Sequence, residues 1–454
     1  MPRRSLLAIA MVGAVSLLCW QTSRGGARSD KDEVLQQYGL FVDALEQVEQ
    51  NYVRPVDRKA LLHSALRGML QDLDPHSMFF SDTEWKVFER QYKGSFVGIG
   101  VQIDIDPRNN RLRVIAPMIG SPAYASGVLA GDVIMDVDGE STDGISRDKA
   151  VELLQGRPGT NVKLTVLHPG SDKTESLTVV RKVIDEPSVL GVERKADDTW
   201  NFLADEADKI AYVRVTHFYQ PTADDLRKAL EQARQQGMKA VILDLRDNPG
   251  GLLESAVEVS DLFIKKGKIV STKGRAIRDR TWEARNEDTI IEDIPMIVMV
   301  NQHSASAAEI VSACLQDHDR AKVVGQRSYG KGSVQNILTL EDGASILKLT
   351  VATYWRPSGK NIHRFPRAKP SDEWGVSPSE GLAVPLSPAE YETWAEARRD
   401  RDLAMMVSQK RPQGDPARDK PLPKIEDKQL DKAIATLRDV LKGGAETEKK
   451  EAAE

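Results

Sequence analysis

The sequence predicts a multidomain α/β protein: an α/β core, a β-rich module before it, and helical N- and C-terminal segments. Three patterns predict this arrangement. Strand-like and helix-like segments alternate from about Leu203 to Leu382, as they do in an α/β core. Short β-like runs, punctuated by Gly, Pro and Asp, fill the stretch from about Phe96 to Arg181. Apolar residues recur at helical spacing near both ends of the chain.

Composition limits the class of protein. A chain of 454 residues is long enough for several domains, and its 40% hydrophobic and 29% charged residues are typical of a soluble globular protein. The net charge of -5 argues against a nucleic-acid-binding protein, which usually carries a basic face. No cysteine-histidine spacing indicates zinc and no cofactor fingerprint stands out, so we expect neither a metal nor a cofactor.

The N-terminus differs from the rest of the chain. Arg3 and Arg4 precede the apolar run SLLAIAMVGAVSLLCW, and small residues follow it, which is typical of a secretory signal. We therefore interpret residues 1–27 as a signal peptide, with an uncleaved membrane anchor as the alternative. The mature chain is expected to work outside the cytoplasm, in the periplasm or cell envelope. Its one remaining cysteine would be Cys314, so no disulfide within the chain is expected.

The segments before the core divide into two predicted domains. Residues 28–90 form a helical domain: one helix spans about Asp32 to Tyr52, and a second fits DRKALLHSALRGMLQDL and ends at the turn DPHS. Residues 91–182 form the β-rich module. Its predicted strands are VGIGVQI, LRVIAPM, DVIMDVDG, NVKLTVLH and ESLTVV, and GSPAYASG and SRDKAVELLQG supply two helices.

The α/β core is predicted over residues 183–385 and a helical region over 386–454. Within the core, KAVILDLR reads as a buried strand, and IPMIVMV is so uniformly apolar that it should be central in a sheet. TADDLRKALEQARQQG and LLESAVEVSDLFI read as helices. The last region contains DKQLDKAIATLRDVL, with apolar residues at helical spacing, and its tail GGAETEKKEAAE is predicted to be disordered.

Ser306 is the first candidate for chemistry. It follows the predicted strand Ile294–Val300 and begins a helix with one apolar face, formed by Ala307, Ile310, Val311, Cys314 and Leu315. Backbone N–H groups in the first turn of a helix are unpaired and lie at the positive end of its dipole. A serine there could attack a carbonyl while those groups stabilise the oxyanion. The alternative is an ordinary helix cap.

Two glycine-containing segments could complete such a site. In YGKGSVQ, Lys331 could act as a base if burial lowers its pKa, and Gln335 could orient its amine. In LDLRDNPGGL, Gly250 and Gly251 leave room for exposed backbone N–H groups. The alternatives are a surface lysine in a turn and a plain strand-to-helix turn.

Taken together and in order, these motifs resemble the C-terminal processing proteases, also called tail-specific proteases, a family of Ser/Lys-dyad serine peptidases. The match covers roughly Val34 to Val384 and includes YVRPVD, GMLQDLDPHSMFFS, GIGVQI, AGDVIMDVDG, LDLRDNPGG, SASAAEI, RAKVVGQRSYGKGSVQ and ATYWRPSGKNI. The resemblance implies a ClpP/crotonase-like α/β protease core with a PDZ domain at residues 91–182.

By position, the resemblance makes Ser306 the nucleophile, Lys331 the general base and Gln335 the residue that positions the lysine. It also implies an oxyanion hole formed by the N–H of Ala307 and one N–H from Gly250 or Gly251, and leaves open which glycine. The rival serine, Ser304, lies two residues before the helix start and outside the family register.

The resemblance also assigns a peptide-binding loop. FVGIGV matches the carboxylate-binding loop of a PDZ domain, and its residues are Phe96, Val97, Gly98, Ile99, Gly100 and Val101. Exposed N–H groups in such a loop bind a chain-terminal carboxylate, and the following strand pairs with the peptide. Apolar residues in the groove, drawn from Ile99, Val101, Ile103 and Leu153 or Leu154, would favour an apolar C-terminal residue, although domain core is the alternative for each.

Three positions and one segment depart from the family pattern. Ala308 stands in SASAAE where SASASE is common, Asp247 stands where asparagine is usual, and Gln155 stands where many relatives carry arginine. WGVSPSEG replaces the common GIxPD element. Asp247 would add a negative charge near the site, and a gating contact that needs arginine at position 155 is placed in doubt.

The expected function is that of an extracytoplasmic serine endopeptidase. It would capture unfolded or loosely structured protein C-termini and cleave a peptide bond upstream through an acyl-enzyme. One alternative is a non-catalytic PDZ scaffold on a protease-like fold, and another is an acyl-transfer hydrolase of non-protein substrates. A regulatory or adaptor protein, a membrane anchor and a homo-oligomer are partners that the sequence leaves open.

Overall fold

The computed structural model describes residues 30–107, 109–195, 199–291, 293–408 and 424–451. The predicted signal segment, residues 1–27, lies outside them. Across the described ranges, none of the helices combines the length and apolar character needed to cross a membrane. The chain divides into two compact units, the first ending at Phe79 and the second beginning at Phe80.

The first unit contains two helices, α1 (Asp30–Asn51) and α2 (Arg58–Gln71). Asp57 caps α2, because its carboxylate accepts a hydrogen bond from Ala60 N at 2.8 Å. After α2, the Asp74 carboxylate accepts hydrogen bonds from the N–H groups of His76 and Ser77, which closes the predicted DPHS turn. Strand β1 (Met78–Ser81) crosses the division between the units.

The second unit begins with α3 (Asp82–Lys93) and the β-rich module. An antiparallel sheet in the order β3-β4-β5-β7-β8, with β6 paired to β5, forms the module, and β2 pairs with β9 outside it. The bounds are β2 (Ser95–Gly98), β3 (Val101–Asp106), β4 (Arg111–Pro117), α4 (Pro122–Ala125), β5 (Val133–Val137), β6 (Glu140–Ser141), α5 (Arg147–Leu154), β7 (Asn161–Leu167), β8 (Thr174–Val180) and β9 (Lys182–Asp185).

One predicted strand of the module is wrong. VGIGVQI was expected to be a single strand, but β2 ends at Gly98 and β3 begins at Val101. Gly100 has a φ of +75°, a backbone conformation that favours glycine and that breaks the strand. A Cβ at Gly100 would also lie 2.3 Å from Ser121 Cβ, so only glycine fits this turn.

The core is built on a second sheet in the order β10-β14-β15-β18-β19, with β13 paired to β14. Strands β14, β15, β18 and β19 are parallel to one another. Strand β18 contains the MIVMV part of the predicted IPMIVMV run, begins two residues later than predicted, and lies between two other strands, as expected of a uniformly apolar strand. The bounds are β10 (Val189–Leu190), β11 (Glu193–Arg194), β12 (Trp200–Asn201), β13 (Leu203–Asp205), β14 (Ile210–Val215), α6 (Thr222–Gln235), β15 (Ala240–Asp244) and α7 (Leu253–Asp261). Those of the later elements are β16 (Lys268–Lys273), β17 (Arg280–Glu283), β18 (Met296–Val300), α8 (Ala307–Asp317), β19 (Lys322–Gly325), β20 (Ser333–Leu340), β21 (Ser345–Trp355), α9 (Pro388–Ser408) and α10 (Lys428–Glu451).

Helices cover both faces of this parallel sheet. On one face α6, α7 and α8 pack against residues such as Val241, Leu243 and Val298. On the other face α10 packs against residues such as Ile242 and Ile297. Alternate residues of each strand therefore point into different halves of the core. Helix α10 continues to Glu451, into the segment predicted to be disordered, where Ala, Glu and Lys are strong helix formers.

Strands β16, β17, β20 and β21 belong to an antiparallel sheet that is separate from the parallel one. The turn that leads into β20 carries the second catalytic candidate, Lys331. Strand β21 pairs with both β20 and β16, and β16 pairs with β17. Lys331 lies two residues before the start of β20, whereas Ser306 immediately precedes α8. The two candidates thus belong to separate elements.

A buried cluster of charges anchors the C-terminal helices to the sheet. The Arg246 side chain is fully buried and donates hydrogen bonds to the carboxylates of Asp244 and Asp427, each at 2.8 Å. Its guanidinium also lies 4.6 Å from the ring centroid of Trp394 in α9. Because a buried charge is costly unless it is paired, both carboxylates are needed to hold Arg246 there. Arg246 directly precedes the DNPGG turn, so this cluster fixes the start of that turn.

Replacement of Asp427 with alanine should lower the free energy of unfolding by about 3 kcal/mol, because it removes one of the two carboxylates that pair with a buried guanidinium. The adjacent Lys428→Ala variant is the matched control, since Lys428 is exposed and pairs with Glu390 at the surface. Urea denaturation followed by circular dichroism measures both. Equal stability of the two variants would contradict this account of the cluster.

Candidate active site

Ser306 lies at the junction between β18 and α8 in an uncommon backbone conformation. It is the residue that precedes the first turn of α8, with φ 54° and ψ −114°. A positive φ in a residue other than glycine is sparsely populated and persists where the surrounding structure holds it. The residue is half-buried, and it lines a cavity of about 680 Å³.

The rival serine is held inside the fold. Ser304 is fully buried, its hydroxyl donates to Leu245 O at 2.7 Å, and the same oxygen accepts from Asn301 N at 2.9 Å. Ser304 does not line the cavity that contains Ser306. Through these two hydrogen bonds, Ser304 fixes the turn after β18.

A buried carboxylate beside Ser306 was not among the candidates from the sequence. Glu309 is fully buried, and its Oε2 accepts hydrogen bonds from the N–H groups of Ser306 and Lys331, each at 2.8 Å. Its Oε1 accepts from the Ser328 hydroxyl at 2.5 Å and from Gly330 N at 2.6 Å. Burial raises the pKa of Glu309 to about 7, against the effect of these hydrogen bonds. The signal that could have found it is the spacing S-x-x-E at a helix start.

The positions on either side of Lys331 require glycine, because a larger residue there would clash with a neighbouring segment. A Cβ at Gly332 would lie 2.2 Å from His363 N, and a Cβ at Gly330 would lie 2.7 Å from Arg364 Cβ. A neighbouring loop therefore passes directly over the turn. Burial lowers the pKa of Lys331, and the charge of Glu309 partly opposes that shift.

The cavity brings together residues that are distant in sequence. Ser306, Lys331, Gln335 and Gly251 all line it, with apolar side chains that include Leu252, Leu253, Ile277, Trp282, Val334 and Tyr354. A β-bulge between β20 and β21 at Val334 and Gln335 changes the pairing register there.

The Gln335 amide donates to Ser333 Oγ at 2.9 Å and to Thr350 Oγ1 at 3.1 Å. Among these described side chains, no hydrogen bond joins Ser306, Lys331 and Gln335 to one another. Such contacts are often longer in a free enzyme than in a substrate complex.

The two glycines of the DNPGG turn differ in their hydrogen bonds. Gly250 N donates to Asn248 Oδ1 at 2.8 Å, so that N–H is already engaged. In the described part of the chain, the N–H groups of Gly251 and Ala307 have no hydrogen-bond acceptor. Gly250 instead provides space, because a Cβ there would lie 2.7 Å from Ser306 Cβ.

Asp247 is hydrogen-bonded to two residues that do not line the cavity. Its carboxylate accepts hydrogen bonds from Asn301 Nδ2 at 2.8 Å and from the Tyr391 hydroxyl at 3.0 Å. It does not line the Ser306 cavity, and its negative charge is engaged by Asn301 and Tyr391. The acidic side chains that do line the cavity are Glu89 and Glu254.

A second cavity, of about 480 Å³, lies along β3 and α5 in the β-rich module. Its lining contains five of the six predicted loop residues, Phe96, Gly98, Ile99, Gly100 and Val101, together with Ile103, Val151, Leu154 and Gln155; Val97 and Leu153 do not line it. Several lining residues are also buried in the module core, so groove and core share the same side chains.

Residues 209–370 match the model of peptidase family S41, and residues 113–167 match that of the PDZ domain. The carboxy-terminal-processing protease of Bartonella bacilliformis is 37% identical over 369 residues, which are 80% of this chain and 79% of that protein. The chain belongs to peptidase family S41. The carboxy-terminal processing protease CtpA of Bacillus subtilis is 32% identical over 79% of this chain and 72% of its own length.

Membership in family S41, with its PDZ domain, makes this chain a serine endopeptidase of the C-terminal processing type. A solved structure named photosystem II D1 C-terminal processing protease is similar at 28% identity and a TM-score of 0.43, over 76% of this chain and 92% of that one. The sequence-based expectation of a serine endopeptidase is confirmed, and a non-catalytic scaffold is not favoured.

If Ser306 is the nucleophile, replacement of Gly250 with alanine should lower kcat by roughly 100-fold, because the new Cβ would displace Ser306. Gly343→Ala is a closely matched control: its φ of +101° is nearly that of Gly250, +102°, but its Cβ would meet nothing within 4 Å. Steady-state kinetics should therefore show a loss of kcat in the first variant alone. Equal kcat values would contradict the contact argument.

Proposed function

We propose that Ser306 is the nucleophile of this serine endopeptidase, that Lys331 is its general base and that Gln335 positions the lysine. The observation that carries the proposal is that all three residues line one cavity, although Ser306 precedes α8 whereas Lys331 and Gln335 belong to the turn and strand of β20. The lowered pKa of Lys331 supports it, because a base must be neutral to accept a proton.

The reaction would proceed in two steps. The Ser306 hydroxyl passes its proton to the Lys331 amine as its oxygen bonds to the carbonyl carbon of the substrate. The C–N bond then breaks, and the leaving amine takes that proton, which leaves an acyl ester on Ser306. Water hydrolyses the ester, with Lys331 again accepting and returning a proton. Each step needs the two side chains to approach within hydrogen-bond distance when substrate is bound.

We assign the oxyanion hole to the N–H groups of Ala307 and Gly251. Both lack an acceptor among the described residues, whereas the N–H of Gly250 is bonded to Asn248. Gly251 lines the cavity, and the backbone bonds between Phe218 and the residues on either side of Gly251 hold it in place. Two fixed donors aimed at the developing charge would stabilise the tetrahedral intermediate.

The groove of the β-rich module is proposed to bind an apolar, unfolded protein C-terminus. Its loop at residues 98–100 lies beside β3, where a peptide could add as a further strand, and Ile103, Val151 and Leu154 supply an apolar lining. Gln155 also lines this groove, so the position that carries arginine in many relatives would face the peptide.

The sequence supports proposals for the type of core, the location of the protein and its partners. The α/β core is assigned to the ClpP/crotonase type, between the helical N- and C-terminal segments. The basic-then-apolar N-terminus supports an extracytoplasmic location, with a signal peptide or a membrane anchor. A regulatory or adaptor protein and a homo-oligomer are partners compatible with it. Acyl transfer to non-protein substrates is the rival, and comparing cleavage of polypeptides with that of small esters separates the two.

Ser306→Ala should abolish cleavage of an unfolded polypeptide with an apolar tail and leave its binding intact, because only the attacking oxygen is removed. Lys331→Ala should also abolish cleavage. Ser304→Ala is the matched control: it should retain cleavage while lowering stability, since Ser304 fixes a buried turn. Gel-based cleavage assays decide this, and product formation by Ser306→Ala would refute the assignment.

Val151→Asp should weaken binding of a peptide with an apolar C-terminus by about tenfold, because it places a charge in the apolar groove. The neighbouring Glu152→Gln variant changes an exposed residue of the same helix and should bind as the parent does. Fluorescence polarisation in the Ser306→Ala background measures Kd without cleavage. Unchanged affinity in Val151→Asp would exclude this groove as the peptide site.

A further inference from the structure

One oxygen atom joins the backbones of the two proposed catalytic residues. Oε2 of Glu309 accepts hydrogen bonds from Ser306 N and Lys331 N, each at 2.8 Å. These residues precede different elements, the helix α8 and the strand β20. We propose that Glu309 is a positioning residue whose carboxylate sets the separation of the nucleophile and the base.

The other oxygen makes the same attachment more rigid. Oε1 accepts from Gly330 N at 2.6 Å and from the Ser328 hydroxyl at 2.5 Å, so the turn that carries Lys331 is held at three points. Ser328 in turn accepts a hydrogen bond from Val376 N at 2.7 Å. Four charge-assisted or polar donors on one carboxylate can offset the cost of burying it.

Glu309 acts through its neighbours and not on the substrate. It is fully buried and does not line the cavity, so it touches no reacting atom. Glu309 therefore differs from Ser306 and Lys331, the proposed dyad, which do line the cavity. The inference about Glu309 rests on that proposed dyad. A carboxylate that only stabilised the fold would not need to bond both Ser306 and Lys331.

The negative charge of Glu309 should affect the pH dependence of kcat/KM. A carboxylate with a purely structural role would have no such effect. The groups that donate hydrogen bonds to the carboxylate are the Ser328 hydroxyl and the backbone N–H groups of Ser306, Gly330 and Lys331, all of which are neutral. Lys331 is the charged group that faces it, and the negative charge raises the pKa of that lysine. Removing the charge should lower that pKa and move the acid limb of the kcat/KM profile to lower pH.

Glu309→Gln in the full chain tests the proposal, because an amide keeps the size but replaces one acceptor oxygen with a donor. We expect kcat to fall roughly 100-fold with KM nearly unchanged, and the acid limb to shift to lower pH. Asp317→Asn is the matched control, since Asp317 is a half-buried carboxylate at the other end of α8, paired with Arg356. A kcat equal to that of the control, or an unmoved acid limb, would overturn the proposal.

Ser328→Ala decides the question if Glu309→Gln does not fold. It leaves the carboxylate but removes one of its four donors, so we expect a several-fold loss of kcat with KM retained; wild-type kcat would overturn the proposal. Ser306→Ala separates this inference from the proposed function. If Ser306→Ala is inactive while Glu309→Gln behaves as its control, the dyad stands and the positioning role fails. If Ser306→Ala remains active, the proposed dyad itself fails.

Discussion

The backbone of Ser306, held at a φ of 54°, is the constraint on which the site depends. Such a conformation costs about 1–3 kcal/mol in a residue other than glycine. Several contacts hold it: the Ser306 N–H is bonded to Glu309, Ala305 N donates to Asn248 O at 2.9 Å, and Gly250 leaves space for Ser306 Cβ. The strain turns the chain sharply between a buried strand and a helix, so that the side chain of Ser306 reaches the cavity and the next N–H stays unpaired.

The remainder of the fold supports that turn from both sides. The Asn248 side chain donates to Val215 O at 2.7 Å and accepts from Gly250 N, which ties the DNPGG turn to the sheet. Two residues earlier, Arg246 is bonded to the C-terminal region through Asp427. The last helix of the chain is therefore connected, through a buried ion pair, to the turn that contacts Ser306. Stability and catalysis share this set of buried polar contacts, because each polar group buried there needs its partner.

Features that depend on a local pattern of residues could be predicted from the sequence alone. The central strand, the helix after Ser306 and the Gly-Lys-Gly turn follow from apolar periodicity and glycine placement, and the resemblance supplied the candidate roles. What the sequence could not supply depends on contacts between distant residues. The four donors to Glu309 include three from a segment about twenty residues away, and the difference between Gly250 and Gly251 appears only once Asn248 occupies one N–H. The strand break at Gly100 depends on the approach of Ser121.

The central claim is that Ser306 forms a covalent bond with the substrate. Rapid-quench mass spectrometry of the full chain, mixed with an unfolded polypeptide with an apolar tail, tests it most directly. The account predicts a transient mass increase equal to the acyl fragment, located by fragmentation on Ser306 and absent from Ser304. An acyl group located on any residue other than Ser306 would contradict it.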